Sequence, residues 1–117
     1  MNSHVMITDW PGYAATRSGS IISLQRIVKG KCGPRIHKPR TLIPYGVGIK
    51  YRYLAVTLCQ DGKIRRARVH QLIAAAFIGP CPPGHEVDHI DGNPKNNRAI
   101  NLRYLPISVN RGLRHGR

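Results

Sequence analysis

Apolar positions along the chain change period twice. Leu54, Val56 and Leu58 alternate with Tyr53, Ala55 and Thr57, which predicts a half-buried strand over 51–59. Asp61-Gly62 follows, and that dipeptide predicts a tight hairpin because both residues tolerate positive φ. Residues 64–68 then return as the partner strand, with Arg66 and Arg68 on one face and Arg65 on the other. At least one of these arginine sets must face outward. From 69 the period becomes helical. Val69, Leu72, Ile73, Ala76 and Phe77 fall on one stripe, and Gly79-Pro80 closes the helix at 78. Cys81-Pro82-Pro83-Gly84 is a stiff connector. Residues 86–90 read as a short strand, and 102–105 as its return after an excursion through 91–101. Pro106 opens a short helix, where its fixed φ is welcome, and Asn110 lies on the first turns of that helix.

Ahead of these elements the pattern is weaker. Residues 1–9 read as a loose terminus. Ser18-Gly19-Ser20 is a turn signal between strands near 13–17 and 20–26, which would pair as a hairpin. Residues 29–50 are rich in Gly, Pro, Lys and Arg and read as a basic loop, either a solvated surface segment or an arm that contacts phosphate. No internal repeat is visible. The expected fold is α+β: N-terminal antiparallel β-hairpins and one helix, followed by a strand–strand–helix core. The chain divides into a β-rich region, 1–68, and a helix-plus-core region, 69–117, within one compact unit of 117 residues.

Composition sharpens the partner. Nineteen Lys and Arg stand against five Asp and Glu, a net charge of +14. That balance favours a polyanion, because neutralised phosphates release their counterions. A membrane surface is anionic too, but no stretch is apolar enough to span one and no secretory h-region follows Met1. The expectation is a cytoplasmic protein without a membrane partner. Cys32, Cys59 and Cys81 form no C-x-x-C pair, so they read as free thiols and not as a zinc site.

The densest chemistry lies in Asp88-His89-Ile90-Asp91-Gly92. Asn101 follows His89 by twelve residues, and Asn110 follows Asn101 by nine. Hydrolysis of a phosphodiester needs a base for water and a cation for the phosphate and the leaving oxygen. A histidine titrates in the right range, and Mg²⁺ is commonly held by one or two protein oxygens. Adjacent strand residues point to opposite faces. Asp88 and His89 therefore reach one site only where their strand ends and twists into a loop.

These residues resemble the HNH homing-endonuclease family, in the branch whose last motif residue is asparagine instead of histidine. The likeness covers about 69–113. The run Trp10, Gly12-Tyr13, Gly19-Ser20-Ile21-Ile22-Ser23-Leu24 is similar to the small DNA-binding module often found ahead of such cores. The resemblance implies a ββα-metal fold and a metal-dependent DNA endonuclease leaving 5′-phosphate and 3′-hydroxyl ends, with phage or intron relatives. It implies His89 as general base, Asp88 and Asn110 as contacts of a single Mg²⁺, and Asn101 as the residue that holds the loop and orients His89. An amide oxygen is a harder ligand than imidazole, which suits Mg²⁺ or Mn²⁺ and disfavours Zn²⁺. Arg65, Arg66, Arg68, Lys38, Arg40, Arg98, Arg103 and Arg111 are the expected contacts to double-stranded DNA.

Neighbouring residues carry alternatives. Asp91 either caps the loop through its own backbone or adds a metal ligand. Asn93, Asn96 and Asn97 are most simply turn formers. His70 is a helix-start contact or a phosphate contact. His85 and His115 show no partner pattern. The rival from another class is a non-catalytic basic DNA- or RNA-binding protein, which the charge alone does not separate from an enzyme; a decayed homing relative is a second rival. Monomer and homodimer on DNA both remain open, and a single core most simply nicks one strand.

Overall fold

The strongest turn signal governs the centre of the chain. In the computed structural model, which describes residues 4–24 and 26–115, Asp61 and Gly62 take φ of 50° and 77°. They join two antiparallel strands in register from Ala55↔Arg68 to Gln60↔Lys63.

Numbered from the amino terminus, β1 (His4–Met6), β2 (Tyr13–Thr16) and β3 (Ile21–Ser23) form a meander. The hairpin expected around Ser18-Gly19-Ser20 is therefore present, with Tyr13 opposite Ser23. The loose terminus expected over 1–9 is a strand from His4 onward, because Val5 and Met6 pair with Ala15 and Ala14 and cover the free edge of β2. Residues 1–3 lie outside the described residues, as does Gln25 near the end of the expected second strand.

The basic segment departs most from expectation. Instead of a loop it folds as β4 (Arg26–Gly30) and β5 (Gly33–His37), then β6 (Arg40–Thr41) against β3 and β7 (Tyr45–Val47) against the next strand. Gly33, at φ 115°, closes the β4–β5 turn. Pro34 is tolerated because a two-stranded ribbon has free edges where a missing N–H costs no ladder bond.

β8 (Tyr53–Gln60) starts later than expected, after a short 3₁₀ turn at Ile49–Tyr51 in which Lys50 and Tyr51 take positive φ. It pairs with β9 (Lys63–Arg68), which runs directly into α1 (Val69–Phe77). The predicted stripe faces inward: Val69, Leu72 and Ile73 are buried, and Ala76 and Phe77 pack at the margin. Gly79 closes the helix at φ 123°, its N–H bonding to Ala74 O at 3.2 Å.

One core joins both halves of the chain. Tyr13, Ala15 and Ile21 pack with Val56 and Leu58 of β8, Val69 and Ile73 of α1, and Leu102. Fully burying one such side chain is worth about 1.5–3 kcal/mol. A polar clamp adds to this. The Tyr13 hydroxyl donates to Cys59 O at 3.0 Å and accepts from Cys59 N at 2.8 Å, tying β2 to β8.

The last unit is the strand–strand–helix core. β10 (His85–His89) pairs with β11 (Leu102–Pro106) in register from His85↔Pro106 to His89↔Leu102, and α2 (Ile107–His115) follows directly. Tyr104 bonds to Gly79 O at 2.7 Å and fastens β11 to the end of α1.

Candidate active site

His89 is the last residue of β10, and Ile90-Asp91-Gly92 turn away from it. The strand therefore ends where the chemistry requires. Asp88, His89 and Asn110 line one cleft, together with Arg52, Tyr53, Val87, Gly92 and Pro94. Asp88 is 3% exposed, His89 6% and Asn110 1%. A carboxylate, an imidazole and an amide are not sequestered together without interactions that repay their desolvation. Each has an identifiable one.

His89 is held by a residue not expected in the site. Its Nε2 lies 2.9 Å from Asn97 Oδ1, in a buried contact. An amide oxygen only accepts, so Nε2 carries the hydrogen and donates it. In that tautomer the free lone pair lies on Nδ1. Around it, the rings of His70 and Tyr53 stand 5.1 and 6.3 Å away by centroid.

Asn101, expected to hold the loop and orient His89, makes its side-chain bonds within the loop. Its Oδ1 accepts from Asp91 N at 3.1 Å, while its Nδ2 donates to Asp91 Oδ1 at 3.0 Å and Asn96 O at 2.8 Å. The amide thus spans both ends of the excursion, and the side-chain contact to His89 comes from Asn97. Asp91 proves to be a loop cap. Its carboxylate accepts from Asn96 Nδ2 and from Asn93 N, each at 2.8 Å. These bonds, with that of Asn96 the largest influence, hold its pKa below the usual carboxylate value. Asn93 and Asn96 are turn formers, as read from the sequence. Asn97 is not.

His70 lies inside α1, and burial, followed by the nearby His89 and Arg68 charges, lowers its pKa to about 3. It is a neutral wall of the site, its ring tilted against those of Tyr53 and His89 at centroid distances of 5.3 and 5.1 Å. That favours its structural reading over a phosphate contact.

Arg103 is drawn into the centre. Its Nε donates to Asp88 Oδ2 at 2.9 Å, from a side chain still 43% exposed. The remaining predicted cations are exposed: Lys38 and Arg40 beside the ribbon, Arg65, Arg66 and Arg68 on β9, Arg98 in the loop, and Arg111 next to Asn110. Arg68 also lies 5.1 Å over the ring of Tyr53, so the outer face of β9 continues into the cleft. Sequence reasoning placed no role on Arg52, whose basic side chain also lines the cleft.

A divalent cation fits the residues present. Asn110 Oδ1 is buried and has no hydrogen-bond partner among the described residues, and a buried carbonyl oxygen left this way is costly. A hard cation accepts such an oxygen together with the Asp88 carboxylate. Among the described residues no group of three or more His, Cys, Asp and Glu could hold a metal; Asp88 and Asn110 are the residues that would hold one here.

The N-terminal hairpin supports this site from behind. Arg17 O accepts from Ala99 N at 2.9 Å. Gly19, at φ 95°, lies so close to the loop that an added Cβ would meet the Asn97 carbonyl at 2.7 Å. Gly19→Ala is therefore expected to cost about 1–3 kcal/mol of stability through backbone strain. It should also slow cleavage by about ten- to a hundredfold, because small misplacements of catalytic groups are that expensive. Thermal melts and single-turnover rates on saturating DNA check both; a rate equal to that of the parent chain would detach this turn from the site.

The last unit is thus a two-stranded ribbon followed by a helix, with an imidazole, a carboxylate and an amide lining one cleft. Residues 67–111 match the model of the HNH endonuclease family. It is 38% identical over 58 residues to the DNA endonuclease I-HmuI of Bacillus phage SP01, covering 50% of this chain and 33% of that one. It is 35% identical over 78 residues to the SPbeta prophage-derived protein YosQ of Bacillus subtilis (strain 168), covering 65% and 42%. A solved structure of the HNH homing endonuclease I-HmuI, described for DNA binding and cleavage, superposes with a TM-score of 0.75 at 28% identity, over 98% of this chain and 59% of that one. The chain thus spans between a third and a half of the length of these two curated relatives.

Proposed function

We propose that this chain is a metal-dependent DNA endonuclease that hydrolyses phosphodiester bonds in double-stranded DNA with His89 as general base. The observation that carries the reading is the joint lining of one cleft by Asp88, His89 and Asn110, with His89 Nε2 committed to Asn97. The Asn97 bond leaves Nδ1 to take a proton from the attacking water. Asp88 and Asn110 would hold a single Mg²⁺, with Mn²⁺ as a substitute, and the Arg103 guanidinium holds the Asp88 carboxylate in place until then. When bound, the ion supplies Lewis acidity to the phosphate and the leaving 3′ oxygen. Tyr53 and the neutral His70 wall the imidazole on one side. They limit the water that competes for its lone pair. The products are 5′-phosphate and 3′-hydroxyl ends. One cleft per chain acts on one strand at a time, so the monomer nicks, and a double-strand cut requires a second copy. No helix among the described residues is long and apolar enough to cross a membrane.

Relaxation of supercoiled plasmid with Mg²⁺ and with EDTA tests the reading. Metal-dependent conversion to the open circle supports it. DNA retention without cleavage under both conditions selects the non-catalytic binding protein.

Binding and chemistry are separable. Arg66 and Arg68 share one face of β9 and are exposed. Binding should weaken with salt at a log–log slope of about −0.9 per phosphate neutralised. Replacing both arginines by alanine should flatten that slope by up to about two units and leave the single-turnover rate on saturating DNA intact. An unchanged slope would mean that this face meets only solvent.

A further inference from the structure

We propose that Glu86 is a positioning residue of the metal site: it holds the Asn110 amide in the one orientation that presents its oxygen to the cleft. The proposal rests on the reading of Asn110 as a metal contact. Asn110 Nδ2 donates to Glu86 Oε1 at 2.8 Å. Asn110 itself is fully enclosed, and its Oδ1 is buried without a hydrogen-bond partner among the described residues.

The physical problem is an ambiguity. The amide of an asparagine can turn half a circle about its last torsion and occupy nearly the same space. Packing therefore does not decide whether oxygen or nitrogen faces the cleft. The two ends are opposite in chemistry, since one accepts and the other only donates. A flipped Asn110 would turn two N–H hydrogens toward an incoming cation. Glu86 removes the ambiguity because an ionised carboxylate only accepts. With the amide nitrogen drawn to Oε1, the oxygen must face the other way. A flip would set two acceptor oxygens against each other at hydrogen-bond distance.

The register makes this available. Glu86 and Asp88 are two apart on β10 and share a face of the strand. That single face carries the charged contact at Asp88 and, one step back, the residue that aims the neutral contact on α2. Arg103 reaches Asp88 from the neighbouring strand, so both metal contacts are oriented by a partner of opposite hydrogen-bonding character. Partners of this outer kind typically change metal affinity by about 10–100-fold.

The test separates orientation from charge. Mn²⁺ is titrated into the full chain, and the free ion is read by electron paramagnetic resonance. Glu86→Gln and Glu86→Ala both remove the charge, but only Gln keeps an acceptor oxygen for Asn110. Gln at this position should bind Mn²⁺ about tenfold more tightly than Ala. In an Asn110→Ala background that gap should vanish, as a coupling carried by one contact must. Should Glu86→Ala fail to fold, Glu86→Met keeps the volume without an acceptor and takes its place. Equal affinities for the Gln and apolar variants overturn the proposal. So does a gap that persists without Asn110, because Glu86 would then act on the ion by another route. If Asp88→Ala binds Mn²⁺ as the parent chain does, the metal reading of the cleft falls, and this proposal falls with it.

Discussion

His89→Ala should lower the single-turnover cleavage rate by about 10²-fold or more, the usual worth of a positioned general base, while DNA affinity changes little. The side chain is 6% exposed and its Nε2 is committed to Asn97, so it contributes almost nothing to an outer DNA-binding surface. Removing it takes away the proposed proton acceptor but leaves Asp88 and Asn110 in place. Metal dependence should therefore persist in the residual activity. Asn97→Ala provides the graded comparison. It leaves the imidazole present but frees both its ring orientation and its tautomer, so its rate should fall between those of the parent and His89→Ala. A His89→Ala variant that cleaves at near-parental rate across neutral pH would remove His89 from the base role. The folded state of the variant is checked by its melt, since the imidazole also packs against His70.

The parts of this site that were legible in the sequence are those set by local pattern. Asp61-Gly62 fixes a turn, the Val69 stripe a helix, and the short runs at 86–90 and 102–105 with Pro106 a ribbon followed by a helix, as the family resemblance of Asp88 through Asn110 also implies. Asp88, His89 and Asn110 meet in one cleft because β10 ends at His89 and α2 begins directly after β11. Asn97 was not legible. It stands in a run of loop asparagines, and only the path of the folded loop decides that Asn96 turns to Asp91 while Asn97 turns to His89. Glu86 was hidden for a related reason: its partner lies 24 residues away on α2. Arg103 was read as a phosphate contact on charge alone, whereas register puts it opposite Asp88.

The β4–β5 ribbon escaped prediction because its sequence has no alternation of apolar and polar positions. Ile27 and Ile36 are paired across it yet 74% and 64% exposed, so no buried face imposes period two. β1 was missed because three residues are too few to show a period. Its pairing is bought by the edge of β2, which no local signal announces.

The second large effect concerns Asp88 and Asn110, the two proposed metal contacts, which should fail differently. Asp88→Ala removes the formal charge that attracts a cation and also strips Arg103 of its partner. The freed guanidinium then leaves a positive charge beside the cleft, opposing the ion a second time. Its activity should be lost at any practical Mg²⁺ concentration. Asn110→Ala removes a neutral oxygen and leaves Asp88 paired as before. Loss of an outer partner alone typically costs about 10–100-fold in metal affinity, so loss of a direct contact should raise the half-saturating Mg²⁺ by at least about tenfold. Excess metal should then restore much of the rate, because the chemistry supplied by His89 is intact. Activity titrated against Mg²⁺ for the parent and both variants reads this directly. Identical metal dependence in all three would remove both residues from the metal. Equal and complete rescue of both would show that the Asp88 charge does not hold the ion, and that the Arg103 pair serves only to join β10 to β11.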